Sequence, residues 1–215
     1  MNLGFLNLAD SRKTDSHQLW IAGCSFAYGV GVQRDQRFGQ LLAKKLNVPV
    51  SFLTCPGSSI SWAADQILRS DINKNDVVVW ALTGAGRFTF MNDQNILHHV
   101  GAANYKNLPI VKHYIDEKLL ASNHMLYESF THICQVKNYL DKIGAEFILA
   151  VMPLNGQEHD LQTIDFTKDI KNSIILFDQN DYSFIDFGTD RMHPGPLHHK
   201  WYADQIYSKY TNLYK

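Results

Sequence analysis

Asp76-Val-Val-Val-Trp-Ala-Leu-Thr83 sets six consecutive apolar residues between two polar ones. A run that is apolar at every position, with no alternation, is expected of a strand covered on both faces. Shorter runs of the same kind lie upstream at Leu19-Trp-Ile-Ala22 and Pro49-Val-Ser-Phe-Leu-Thr54. Downstream, Glu146-Phe-Ile-Leu-Ala-Val-Met152 repeats the pattern. A fifth strand is expected near Ser183–Phe187, although Ile174–Phe177 also reads as extended.

Helical periodicity fills the intervals. Phe38, Leu41, Leu42 and Leu46 fall on one face of a helix over about Asp35–Leu46, with Lys44 and Lys45 in its last turn. Ile60, Ala63, Ala64, Ile67 and Leu68 define a second, which Ser58 or Ser59 would cap. Ile133, Val136, Leu140 and Ile143 line a third, over about Met125–Lys142 and closed by Gly144. Pro196 opens a fourth that runs to about Leu213. Alternating strands and helices predict a parallel sheet with helices on both faces, a three-layer α/β/α, flavodoxin-like arrangement with five strands.

The 215 residues suit one domain, residues 1–215, with an insertion at about 84–123, a long stretch weak in periodicity. Residues 1–16 read as a polar lead-in, and 155–172 fit no pattern. Twenty Lys+Arg against 21 Asp+Glu leave no basic excess for nucleic acid. No apolar run is long enough to span a bilayer, and no secretory signal is evident, so a cytoplasmic protein is expected. Three scattered cysteines provide neither a disulfide framework nor a zinc site.

In parallel sheets, ligands bind beyond the carboxyl ends of the strands. The segments there are Gly23-Cys-Ser-Phe-Ala-Tyr-Gly29, Pro56-Gly-Ser-Ser59, Thr83-Gly-Ala-Gly-Arg87 and Gly188-Thr-Asp-Arg-Met-His-Pro-Gly195. A serine hydroxyl needs a base to take its proton, and His193 is the candidate. Asp190, three residues earlier, could orient the imidazole. Backbone N–H groups of Gly57 and Ser25 could receive a developing oxyanion.

These segments resemble the SGNH (GDSL-like) hydrolase family. Gly23-Cys-Ser25-Phe-Ala-Tyr-Gly29 is similar to its first block, Gly-Asp-Ser-x-x-x-Gly, with Cys24 where the family has Asp. Pro56-Gly57-Ser-Ser59 is similar to the second, and Asp190-Arg-Met-His193-Pro to the final Asp-x-x-His block. The resemblance spans residues 18–209. It implies Ser25 as nucleophile, His193 as base, Asp190 as its partner and Gly57 as oxyanion donor. It also implies the flavodoxin-like sheet and an esterase working without metal or cofactor. The family's third block, Gly-x-Asn-Asp, is missing. After the third strand the chain reads Thr83-Gly-Ala-Gly-Arg87, and Asn92-Asp93 comes later without the preceding glycine. Thr83 or Arg87 is the candidate substitute, as oxyanion donor or substrate contact.

Plainer readings stand beside these. Ser25 and Asp190 could be helix-cap or turn residues, His193 a packing residue, Gly57 a turn glycine and Arg87 a salt-bridge residue. Cys24 reads as a small buried residue. Adjacent side chains do not converge on one ion, so His98-His99 and His198-His199 are expected to face solvent. The expected function is a serine ester hydrolase on a small-molecule or carbohydrate ester, such as an O-acetyl sugar. The alternatives are a non-catalytic carbohydrate-binding or assembly module on the same scaffold, and an O-acyltransferase using the same three residues.

Overall fold

The structure, a computed structural model, describes residues 17–84, 87–100, 122–151, 174–176 and 184–214. Five strands form one parallel sheet: β1 (Leu19–Gly23), β2 (Val50–Thr54), β3 (Val77–Leu82), β6 (Glu146–Val151) and β7 (Ile174–Leu176). Their order is β2-β1-β3-β6-β7. Two further strands, β4 (Phe88–Met91) and β5 (Leu97–Val100), pair antiparallel as a separate hairpin. The helices are α1 (Ser25–Tyr28), α2 (Phe38–Leu46), α3 (Ile60–Arg69), α4 (Ser122–Ile143) and α5 (Pro196–Tyr214).

Strand alternation assigns the two faces. Trp20, Ala22, Val78, Trp80, Leu82, Phe147 and Leu149 pack with α3 and α4 through Ile60, Ala64, Ile67, Ile133, Val136 and Leu140. Leu19, Ile21, Val77, Val79, Ala81, Ile148 and Ala150 pack on the other face with Phe38 and Leu42 of α2 and Tyr202 and Ile206 of α5. All six residues of β3 are buried, as its sequence predicts. Truncating Phe38 or Leu42 to Ala would cost about 2–5 kcal/mol.

The strand order locates the site. The chain moves outward from β1 to β2, then returns past β1 to β3. The crevice of such a sheet opens where the order reverses, at the carboxyl ends of β1 and β3.

Several expectations are corrected. The fifth strand is Ile174–Leu176, paired with β6, and not the segment near 183–187. In the described part of that segment, Phe187 makes only an isolated bridge to Pro194. Asp186 is drawn aside because its carboxylate accepts from the Leu197 and His198 N–H groups at the start of α5 (3.0 and 2.9 Å). A 3-10 turn, Arg34–Gln36, precedes α2, so that helix begins three residues later than expected. Ser59, not Ser58, caps α3 by accepting from Trp62 N–H (3.1 Å). Leu68 leaves the apolar face and is exposed.

His198 and His199 are buried, not solvent-facing. His199 lies between α5 and α2, where its Nδ1 accepts the Phe38 N–H at 3.1 Å and its ring stacks on Phe26 at 4.5 Å. It does for α2 what a capping side chain does elsewhere. Residues 1–16 and 155–172, and 101–121 of the expected insertion, lie outside the described residues. Among the described residues no helix is long and apolar enough to cross a membrane.

Candidate active site

β1 ends at Gly23, whose φ of +146° suits glycine. A Cβ there would stand 2.6 Å from the Ala81 carbonyl and 2.9 Å from the Ala27 side chain. Only hydrogen lets the end of β1 lie against β3 while the chain turns into α1. Ser25 is the first residue of that short helix, and it is mostly buried. Gly29, at φ +83°, returns its N–H to the Ser25 carbonyl (3.0 Å), which fixes the corner.

The other half of the site comes from the loop before α5. Asp190 Oδ1 accepts the N–H groups of Met192 and His193, each at 3.1 Å, and so shapes its own turn. Its Oδ2 lies 2.5 Å from His193 Nδ1. Arg191 takes a left-handed φ of +57° inside that turn. The loop is tied to the segment after α1, because Thr189 N–H donates to the Gly31 carbonyl at 2.9 Å. Phe187 and Pro194 bridge its two ends.

His193 Nε2 stands 2.9 Å from Ser25 Oγ. Ser25, His193 and Asp190 are therefore connected in one line by two close contacts, across 168 and 3 positions of sequence. The hydrogen bond from His193 is the largest influence on Asp190 and holds its carboxyl down at about 2, ionised at neutral pH. Cys24 is buried, as expected, with its sulfur 3.9 Å from Ser25 Oγ.

A cleft of about 170 Å³ opens at this line. Ser25, His193, Leu82, Phe184, Met192 and Arg87 are among its walls. Gly57 and Thr83 are not. Gly57 sits at φ +82° in a loop fastened to the end of β1. The Gly23 carbonyl accepts both Cys55 N–H (3.2 Å) and the Ser58 hydroxyl (3.3 Å). The Gly57 N–H donates to no group among the described residues. Thr83 is buried, and its hydroxyl has no hydrogen-bond partner among them. Asn92 is occupied in the β4–β5 turn, accepting from Gln94 and Ile96 N–H at 3.0 and 2.9 Å.

One feature of the site is not foreseen from the sequence. The β4–β5 hairpin reaches the Gly57 loop through His99. Its Nε2 is 3.6 Å from the Cys55 sulfur and its Nδ1 is 2.9 Å from Thr89 Oγ1. Thr89 in turn lies 2.8 Å from Ser59 Oγ, the cap of α3. Burial, and next the neighbouring His98, lower the pKa of His99, while burial raises that of the Cys55 thiol. Both are held neutral. His98 faces the other way, stacked on Phe90. The alternation of a strand could have separated the two histidines, but not named their partners.

No protein-family model and no curated protein sequence matches the chain. Solved structures do. TesA superposes with a TM-score of 0.61 at 12% identity, over 92% of this chain and 99% of that one. A protein assigned to the lipolytic G-D-S-L family, from Desulfitobacterium hafniense, gives 0.57 at 11%, over 90% and 99%. The acetyl xylan esterase Est2A from the rumen bacterium Butyrivibrio proteoclasticus gives 0.56 at 14%, over 92% and 64%. With its parallel sheet and this likeness, the chain has the fold of the SGNH (GDSL-like) hydrolases.

Proposed function

We propose that the chain is a serine ester hydrolase acting on esters with a small acyl group. The observation that carries this reading is the 2.9 Å contact between Ser25 Oγ and His193 Nε2, with Asp190 on the far nitrogen. It is the distance a general base needs to its nucleophile. His193 takes the Ser25 proton as Oγ attacks the ester carbonyl. Asp190, ionised, fixes the imidazole orientation and supports the positive charge that forms. The N–H groups of Ser25 and Gly57 are the proposed donors to the oxyanion, each worth about 3 kcal/mol. His193 then gives its proton to the leaving alkoxide. In the second half it takes a proton from water, which attacks the acyl-serine and releases the acid.

The described walls enclose about 170 Å³. That is below the ~300–1,000 Å³ usual for drug-sized ligands and favours a short acyl chain. An O-acetylated carbohydrate is the proposed natural class, supported by the carbohydrate esterases that share the fold. A non-catalytic, carbohydrate-binding role is the second reading, favoured by the absence of the Gly-x-Asn-Asp block. Hydrolysis of p-nitrophenyl acetate by the unaltered chain and by Ser25→Ala separates the two. The first reading expects activity that Ser25→Ala abolishes. Equal rates from both proteins would remove Ser25 from the chemistry.

A further inference from the structure

Among the described residues that line the cleft, Arg87 is the one Arg, Lys, Asp or Glu. It follows β3 and is only half-buried, and its backbone N–H closes a turn on the Gly84 carbonyl (3.2 Å). Among the described residues its guanidinium has neither an ion pair nor a hydrogen bond. It shares the described lining of the cleft with apolar side chains, Leu82, Phe184, Met192 and Pro194, and with Ser25 and His193; none of these is a carboxylate. Asp190, the carboxylate of the Ser25-His193 line, is already engaged by His193 and by two backbone N–H groups.

A guanidinium stays charged at every working pH and presents five N–H donors in a planar fork. Half-buried beside apolar side chains, it is open on its cleft side to an acceptor that a ligand brings. A carboxylate matches that fork with two parallel hydrogen bonds. We propose that Arg87 receives a carboxylate carried by the substrate, so that the ester opened at Ser25 is an acidic one. This inference rests on the hydrolase reading and narrows it: the substrate class is an acyl ester with a carboxylate close to the reacting carbonyl. The carboxylate stands on the acyl side, as in a hemisuccinate, or on the alcohol side, as in an acetylated hydroxy acid or acidic sugar.

Two matched pairs of esters test it. Mono-4-nitrophenyl succinate against its methyl ester places the charge on the acyl side. 3-Acetoxybenzoate against methyl 3-acetoxybenzoate places it on the leaving side. The proposal expects the acid of at least one pair to show the higher kcat/KM. Arg87→Gln then lowers that value by roughly 10–100-fold more than it lowers the value for the matched neutral ester, the scale of a hydrogen bond between charged groups. No preference in either pair, or the same factor lost on acid and neutral ester, overturns it; the second result assigns Arg87 to the oxyanion. A binding measurement is independent of turnover. In the Ser25→Ala chain the preferred acid raises Tm, its neutral partner does not, and Arg87→Gln removes the shift. Failure to see that shift overturns the anion proposal alone, whereas ester hydrolysis that survives Ser25→Ala overturns the hydrolase reading.

Discussion

The main chains of Gly31 and Gly188 touch. A Cβ on Gly188 would lie 2.9 Å from Gly31 Cα, and a Cβ on Gly31 would lie 2.9 Å from Asp190 Oδ1. This contact presses the loop that carries His193 onto the segment that follows Ser25. Gly31 also sits at φ +85°, where other residues are strained.

Gly188→Ala and Gly31→Ala therefore push Asp190 and His193 away from Ser25. A shift near 1 Å at such a site costs on the order of 10²-fold in rate. We expect kcat on p-nitrophenyl acetate to fall by about that factor, with a stability loss of about 1–3 kcal/mol. Steady-state kinetics beside a thermal melt measures both. An unchanged kcat in both variants would show that the glycine contact does not set the site.

Asp190→Asn separates the two tasks of that carboxylate. The amide oxygen still accepts the Met192 and His193 N–H groups, so the turn survives. Its NH₂ group cannot accept from His193 Nδ1, so the imidazole turns over its tautomer and Nε2 no longer accepts from Ser25. We expect kcat to drop by roughly 10³–10⁴ with Tm nearly unchanged. Retention of more than a tenth of the activity would remove Asp190 from the mechanism.

His99→Ala tests the hairpin as the support of the Gly57 loop. The change releases Cys55 and Thr89 together. If Gly57 donates to the oxyanion, kcat falls roughly ten-fold (about 1.4 kcal/mol) while KM stays near its original value. His99→Gln, which can keep one of the two bonds, recovers part of the loss. A rise in KM alone would place His99 in substrate binding instead.

His199 makes stability depend on pH. Burial, ahead of the charge of His198, lowers its pKa from 6.5 to about 3. The folded chain holds it neutral, while the unfolded chain protonates it near 6.5. Its contribution is thus complete above pH 6.5, falls as pH drops through that window, and levels off below about 3. The slope is at most about 1.4 kcal/mol per pH unit. His199→Asn keeps an acceptor for Phe38 N–H but does not titrate. Denaturant melts at several pH values should show a flatter profile for the variant, and an unaltered slope would assign the acid sensitivity elsewhere.

The parallel sheet was legible because β1, β3 and β6 are short continuous apolar runs, which only a doubly covered strand tolerates. The loops that begin at Gly23, Pro56 and Thr83 could be placed at one sheet edge from their positions after β1, β2 and β3, whereas the loop at Gly188–Gly195 was placed there after a strand expected at 183–187, and the fifth strand is Ile174–Leu176. The hairpin was not legible, since Phe88–Met91 and Leu97–Val100 are four residues each, without a continuous apolar run, joined by a turn that Asn92 holds. His198 and His199 misled because two adjacent side chains that do not converge on one ion were expected to face solvent. Burial became affordable for His199 when its ring nitrogen found an unpartnered helix N–H 161 positions away, a tertiary match that local sequence does not encode. Gly31 and Gly188 were silent for the same reason, since a close approach of two backbones leaves no trace in either segment alone.

If His193 activates Ser25, labelling with a fluorophosphonate followed by peptide mass mapping will show it. A single phosphonyl adduct is expected on the peptide that contains Ser25, formed by the unaltered chain and lost in His193→Ala. An adduct on another serine, or labelling of Ser25 at the same rate without His193, would contradict it.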